Sequence, residues 1–160
     1  MKISKYKTLL NDDRQCFLVE ENIREYETNE TVLNNDESIV KMLCDVYKMD
    51  ILSEEYVYLL CFNTKCKLLG VFEVTHGTVS TSLIGVREIF QKALLINAAM
   101  IIVAHNHPSG DPTPSKEDIA VYSSLKKAGE LMQITLVDNL VIGDGCHYSF
   151  AKEIERIAEK

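Results

Sequence analysis

The stretch MIIVAHNHPSGDPTPSKED, residues 100–118, predicts a buried strand, a sharp turn and the start of a helix. Side chains alternate along a strand, so His105 and His107 are expected on the same side of it. Pro108 predicts the end of the strand because proline cannot donate to a sheet ladder. Ser109-Gly110-Asp111 supplies turn residues. The chain is therefore expected to reverse direction here and bring the next helix back toward the two histidines.

Thr113 and Pro114 are predicted as the N-cap and first residue of that helix. Ser115 and Asp118 are three positions apart and would share a face of its first turn. Asp118 is then the expected third ligand of a metal ion held by the two histidines. Two imidazoles and one carboxylate that leave a fourth position open are the ligand set of a hydrolytic zinc site.

Two alternatives weigh against this interpretation. The histidines could flank a turn and form hydrogen bonds without holding a metal. Asp111 is a rival third ligand because it is nearer in sequence, although a turn residue is more often solvated or capping. Glu117 is expected to point away from Asp118 and to face water.

A metal-activated water also needs a general base, and carboxylates commonly serve. Upstream of the histidines the candidates are Glu54, Glu55, Glu73 and Glu88. Their spacing does not choose among them.

The bulk composition predicts one globular domain in a reducing compartment. The chain has 160 residues and a net charge of −7, which works against a broad grip on phosphate backbones. Its cysteines number five and include no C-x-x-C pair, so a cytoplasmic location fits. The N-terminus lacks an apolar signal segment, and the longest apolar run is interrupted by Asn97, so no membrane association is expected.

Hydrophobic periodicity predicts an α/β (or α+β) fold with a mixed sheet sandwiched by helices. Asn35 or Asp36 is a plausible N-cap of the first helix. On the helix after residue 115, apolar residues including Ile119 and Leu125 are expected on one face. The expected elements are an edge strand in 15–27, a helix in 36–50, a hairpin of strands 56–63 and 67–79, a helix in 86–99, a strand at 100–107, a helix in 115–132, a strand in 134–143, a turn and short strand in 144–150, and a C-terminal helix in 151–160.

The stretch AHNHPSGDPTPSKED resembles a known family signature. His105-x-His107, followed by Ser115 and Asp118 at this spacing, is similar to the motif of JAMM (MPN+, JAB) metalloproteases, and the wider stretch is similar to the RadC-like subfamily. The similarity extends from about residue 56 to 143. It implies the JAB/MPN, cytidine-deaminase-like architecture in 46–150, with an N-terminal extension (1–45) whose strand and helix pack on the core and a C-terminal helix or tail (151–160).

The resemblance also implies roles for individual residues. One Zn2+ ion would be bound by His105, His107 and Asp118. Ser115 would support the substrate oxyanion or the zinc-bound water. The register of the strand beginning EEYVYLLCFNT makes Glu55 the expected catalytic base, ahead of Glu54.

Three departures from the family pattern concern other positions. Val86 stands where a proline is common, and Asn139 follows Val137-Asp138 where the family commonly has Leu-Asp-His. The helix-hairpin-helix segment of longer RadC proteins is not visible in residues 1–45, which predicts a stand-alone catalytic domain. His76 and His147 are assigned no role.

The function expected from these features is metal-dependent hydrolysis of a peptide or isopeptide bond in a protein or peptide substrate. A DNA-repair-associated module that binds DNA or protein partners without proteolysis is the alternative, and an inactive scaffold ranks third because all the ligands are retained. The sequence indicates neither the substrate nor the oligomeric state.

Overall fold

One mixed sheet carries helices on both faces in the part of the chain that the structure, a computed structural model, describes: residues 1–27, 33, 35–77 and 85–158, with side chains to 154. The elements, in chain order, are β1 Lys2–Leu10, β2 Cys16–Glu25, α1 Asp36–Tyr47, β3 Glu55–Phe62, β4 Leu68–Gly77, α2 Val86–Leu95, β5 Met100–Asn106, α3 Lys116–Met132, β6 Thr135–Ile142, β7 His147–Ser149 and α4 Phe150–Ala158.

The strand order is β2-β1-β4-β3-β5-β6-β7. β1 and β4 are parallel, as are β5 and β6, and the remaining neighbours are antiparallel. This topology confirms the predicted α/β (α+β) class, with a mixed sheet flanked by helices. It also makes β5, the strand that leads into the two histidines, an interior strand paired on both sides.

Residues of β5 alternate between two apolar cores. Ile102 and Ala104 pack in the core beneath α1, whereas Ile101 and Val103 pack in the core beneath α2 and α3. His105 continues the second series, because side chains two positions apart share a face. The apolar alternation of β5 therefore brings the first histidine out on the side of the sheet that α3 covers.

The N-terminal strands extend the sheet beyond the predicted hairpin. β2 is the outermost strand, as predicted, but the sequence analysis missed β1. β1 is rich in lysine, and carboxylates on the neighbouring strands supply the opposite charge. Lys5 lies 2.8 Å from Glu73 on β4 and 3.3 Å from Glu21 on β2. The division into residues 1–45, 46–150 and 151–160 stays a prediction.

The helix boundaries confirm some expectations and correct others. Asn35 caps α1 by accepting a hydrogen bond from Ser38 N, as predicted. The Thr113–Pro114 start of α3 is wrong, because Ser115 is the N-cap and Lys116 the first helical residue. Ile119 is 54% exposed rather than buried with Leu125.

The predicted ends of other elements also shift. α2 ends at Leu95 instead of continuing to 99, and Asn97 has a left-handed φ of 59° that stops the helix. Residues 78–79 of the predicted second hairpin strand and 159–160 of the predicted last helix lie outside the described residues. Across the described ranges, we find no helix with the length and apolar character needed to span a bilayer.

Candidate metal centre

Three potential ligand atoms converge at the end of β5. His105 Nε2 lies 3.1 Å from His107 Nε2 and 3.2 Å from Asp118 Oδ1, and His107 Nε2 lies 3.5 Å from Asp118 Oδ2. His105 is the penultimate residue of β5, His107 follows the strand, and Asp118 lies in the first turn of α3. The strand end and the opening helical turn therefore meet at one point.

The spacing of these atoms fits a single tetrahedral ion. Zinc bonds to imidazole nitrogen and carboxylate oxygen are about 2.0–2.2 Å long, which places neighbouring ligands about 3.3–3.5 Å apart at the corners of a tetrahedron. The three observed separations, 3.1, 3.2 and 3.5 Å, lie at or near this range. His105, His107 and Asp118 therefore form a group that could hold a metal ion and would leave a fourth corner for another ligand.

The charge state of Asp118 suits a ligand. Burial alone would raise the pKa of its carboxyl group, but hydrogen bonds from His105, His107 and Ser115 outweigh burial and hold that pKa well below its ordinary value. The hydrogen bond to Asp118, opposed by burial, raises the pKa of His107. In the metal-free protein the negative charge of the aspartate is therefore matched by a histidine that readily takes up a proton.

A backbone carbonyl fixes the orientation of His107. Its Nδ1 lies 2.8 Å from Asp111 O, so the Nδ1–H tautomer donates to this carbonyl and directs Nε2 at Asp118. The Asp111 carboxylate faces elsewhere, because its Oδ1 accepts a hydrogen bond from Thr113 N at 2.9 Å and the residue is exposed. Asp111 thus contributes its carbonyl, and its carboxylate is not in the group of converging ligand atoms.

Ser115 holds Asp118 in a capping box. Ser115 Oγ donates to Asp118 Oδ2 at 2.6 Å, Ser115 N donates to the same oxygen at 2.7 Å, and Asp118 N donates back to Ser115 Oγ at 3.1 Å. These bonds satisfy amides of the first helical turn and also fix the carboxylate rotamer. Glu117, which directly precedes Asp118, is exposed as expected.

Glu55 is the predicted base that lies on the histidine side of the sheet. Val57 pairs with His105, so Glu55, two positions earlier on β3, belongs to the same face. Its charge contributes to the raised pKa of His107, after the larger influences of Asp118 and Asp111. The carboxylate of Glu55 is thus near enough to the metal centre to act on it electrostatically.

Asn106 clamps the chain around Glu55, a feature that sequence reasoning missed. This buried amide donates from Nδ2 to Glu54 O at 3.0 Å and accepts from Tyr56 N at 2.8 Å. The peptide groups on either side of Glu55 are therefore tied to the residue between the two histidines. The Glu54 residue itself is exposed.

The remaining candidate bases have other partners. Glu73 pairs with Tyr58, on the opposite face of the sheet from Glu55, and its carboxylate contacts Lys5 and the exposed His76, each within 2.9 Å. Glu88 is exposed in the first turn of α2 and lies beside Arg87. Neither carboxylate belongs to the group formed by His105, His107 and Asp118, which could hold a metal ion.

The turn that carries His107 is buttressed by the loop after β6. His107 N donates to Ile142 O, Gly110 N donates to His107 O, and Asp144 N donates to Gly110 O, each at 2.9 Å. A Cβ atom on Gly143 would lie 2.3 Å from Gly110 O, so only glycine allows the two loops this close. The second histidine is therefore held by backbone contacts from a different strand.

A second acidic group has its own counter-charges. Asp36 Oδ2 lies 2.7 Å from His147 Nε2, Asp36 Oδ1 lies 2.7 Å from Lys152 Nζ, and Lys152 also contacts Glu37. This ammonium group supplies the positive charge that the carboxylates require. The contact of His147 with Asp36 joins β7 to α1, a contact that the sequence did not predict.

Comparisons with known proteins identify a family to which this chain is similar. The sequence model of the RadC-like JAB domain family matches residues 33–156. The UPF0758 protein of Thermotoga maritima is 42% identical over 119 residues, which cover 74% of this chain and 54% of that protein. The UPF0758 protein of Moorella thermoacetica is 44% identical over 115 residues, with 72% and 49% covered. The chain spans about half the length of the curated relatives it matches.

Proposed function

The chain belongs to the RadC-like JAB domain family, and on that premise we propose that it is a zinc-dependent hydrolase of the JAMM type that cuts a peptide or isopeptide bond. The observation that carries the proposal is the convergence of His105, His107 and Asp118, with ligand atoms 3.1–3.5 Å apart.

The donor set favours zinc over calcium and magnesium. Two imidazole nitrogens and one carboxylate oxygen suit zinc, whereas calcium and magnesium prefer shells made of oxygen atoms. When bound, zinc lowers the pKa of a coordinated water to near neutrality and polarises a carbonyl group. The low pKa of Asp118 supports this assignment because the ligand stays ionised without a cost for removing its proton.

Glu55 is proposed to move the proton. In amide hydrolysis the attacking water loses a proton and the leaving nitrogen gains one, so a single carboxylate can accept and then deliver it. The position of Glu55 on the histidine face supports this role, and the Asn106 clamp restricts the backbone on both sides of it.

Ser115 is proposed to assist through Asp118. Its hydroxyl hydrogen is directed at Asp118 Oδ2, so its main effect is to orient the ligand. Direct support of the substrate oxyanion, the role implied by the family resemblance, requires that hydroxyl to rotate and stays a prediction.

Metal analysis followed by a cleavage assay tests the proposal. We expect one zinc per chain in protein purified without chelators, and cleavage of a reporter peptide or ubiquitin-like fusion that chelation abolishes. His107→Ala should lose both the metal and the activity. His76→Ala is the matched control, because His76 is exposed and pairs with Glu73 on the other face. Zinc-free wild-type protein, or unchanged cleavage by His107→Ala, would refute the proposal.

The DNA-associated function, the cytoplasmic location and any protein partner stay predictions from the sequence. A gel-shift titration across salt concentration addresses the first, since phosphate contacts weaken steeply with added salt. Absence of a shift with duplex and single-stranded DNA at low salt would remove that alternative.

A further inference from the structure

Two buried side chains beside the candidate metal centre carry polar atoms that have no hydrogen-bond partner among the described residues. One is His105, whose ring is fully buried and whose Nδ1 atom is unpaired. The other is Asn139, which is also fully buried and has both Oδ1 and Nδ2 unpaired. A buried polar group without a hydrogen-bond partner destabilises the folded state, so each of these groups should have a compensating partner.

The register between β5 and β6 places His105 and Asn139 on the same face of the sheet. β5 and β6 are neighbouring parallel strands, in which Val103 pairs with Asn139 and His105 pairs with Val141. Paired residues share a face, so Asn139 lies on the same face as His105, one diagonal step away across the two strands. Apart from the metal-ligating side, the surroundings of this face are the apolar core beneath α2 and α3.

The two histidines differ in how their second ring nitrogen is held. His107 Nδ1 is fixed at 2.8 Å by the carbonyl oxygen of Asp111. His105 Nδ1 has no equivalent among the described residues. Metal-ligating histidines nearly always donate this second N–H to a carboxylate, a carbonyl or a water, which sets the tautomer and the ring orientation.

We propose that Asn139 is a positioning residue for His105: its amide holds a buried water that accepts a hydrogen bond from His105 Nδ1–H and thereby directs Nε2 at the metal. This inference rests on the proposed function, because it concerns a ligand of the proposed zinc ion. A buried water commonly makes about three hydrogen bonds to otherwise unsatisfied groups, and Asn139 offers both a donor and an acceptor.

The proposal separates a metal-positioning role from a purely structural one. Asn139→Leu keeps the branched shape of the side chain, adds some volume, and removes two polar atoms from an apolar core. Because the change leaves His105 Nδ1–H without a partner, it should also destabilise the fold modestly, and the readouts specific to metal positioning are zinc affinity and the ring proton of His105. The substitution removes the proposed partner of His105 Nδ1–H. Loss of such a partner to a metal ligand typically weakens metal binding about 10- to 100-fold.

The experiment compares zinc affinity, stability and the ring proton of His105 in full-length protein. We expect Asn139→Leu to stay folded, with a thermal midpoint at or below that of wild type, and to bind zinc about 10- to 100-fold more weakly in a chelator competition. In 15N NMR spectra of the zinc-loaded protein, the Nδ1–H signal of His105 should be protected from exchange in wild type and lose that protection in the variant. Asn139→Asp, which keeps an acceptor, should retain zinc affinity near the wild-type value.

The test includes a control substitution far from the candidate metal centre and two results that would contradict the inference. Asn22→Leu, on exposed β2, is the matched change and should leave zinc affinity unchanged. If wild type binds zinc and Asn139→Leu binds it equally well with the same ring-proton protection, the inference is wrong and the proposed function stands. If wild type itself binds no zinc, the proposed function fails first, and this inference fails with it.

Discussion

Ser115 and Asp118 hold each other through three hydrogen bonds between 2.6 and 3.1 Å, in the turn where α3 begins. The same bonds cap the helix and fix the carboxylate that faces the two histidines. Two of the three bonds involve the Ser115 hydroxyl, so removal of that hydroxyl should affect both helix stability and the orientation of the Asp118 carboxylate.

Ser115→Ala should weaken zinc binding and destabilise the protein together. Loss of a serine N-cap costs about 1 kcal/mol. Loss of a hydrogen-bonding partner to a metal ligand typically weakens binding about 10-fold or more. Chemical denaturation of the metal-free protein and zinc competition measure the two effects. Ser115→Thr keeps the hydroxyl and should behave like wild type; equal zinc affinity in Ser115→Ala would contradict the coupling.

Glu55→Gln should slow turnover strongly while zinc binding persists. General acid–base groups contribute about 10²- to 10⁴-fold to rates, so kcat should fall by that factor. Glu54→Gln is the matched control, since Glu54 contributes its carbonyl, not its carboxylate, to the Asn106 clamp. A rate loss in Glu54→Gln with an unaffected Glu55→Gln would reverse the assignment of the base.

The local pattern of residues 105–118 was enough to predict which side chains would meet. Strand alternation places His105 and His107 on one side, and the turn returns Asp118 to them; both are short-range consequences of the sequence. The predicted convergence of the three residues agrees with the 3.1–3.5 Å separations. Their role as zinc ligands stays a prediction.

What the sequence did not reveal depends on partners that are far away along the chain. β1 is rich in lysine and becomes a strand through its pairing with β2 and β4. The hydrogen bonds of Asn106 depend on the antiparallel pairing of β5 with β3. The position of Asn139 near His105 depends on the parallel pairing of β6 with β5. The helix start was misplaced for a local reason: Thr113-Pro114 and Ser115 both fit N-terminal preferences, and the reciprocal bonds with Asp118 decide for Ser115.

Gly143→Ala should loosen the turn that carries His107. The added Cβ would lie 2.3 Å from Gly110 O and 2.9 Å from Pro112 Cδ, so backbone must move. Overpacking of this kind costs about 1–3 kcal/mol, and the displaced turn should also weaken zinc binding. Gly77→Ala is the control, because a Cβ there meets no atom of the described residues within 4 Å. A Gly143→Ala protein with wild-type stability and zinc affinity would show that the turn tolerates the shift.

The metal-free and zinc-loaded proteins should respond to pH in opposite directions near neutrality. The pKa of His107 is raised, chiefly by its hydrogen bond to Asp118. The stability that this bond adds is therefore fully present below the unfolded-state pKa of about 6.5 and is lost as pH rises through the higher folded-state pKa. Zinc requires neutral imidazole, so its affinity should rise over the same window. Asp118 adds no slope there, because its pKa is lowered and it stays ionised.

Urea denaturation with a chelator and zinc competition, each at about pH 6 and about pH 8, measure the two trends. The metal-free wild type should lose stability toward the higher pH relative to His107→Ala, which lacks the titrating group. Zinc affinity of the wild type should increase between the same two points. If the difference in metal-free stability between wild type and His107→Ala does not change with pH, His107 is not held by Asp118 in solution as it is in the structure.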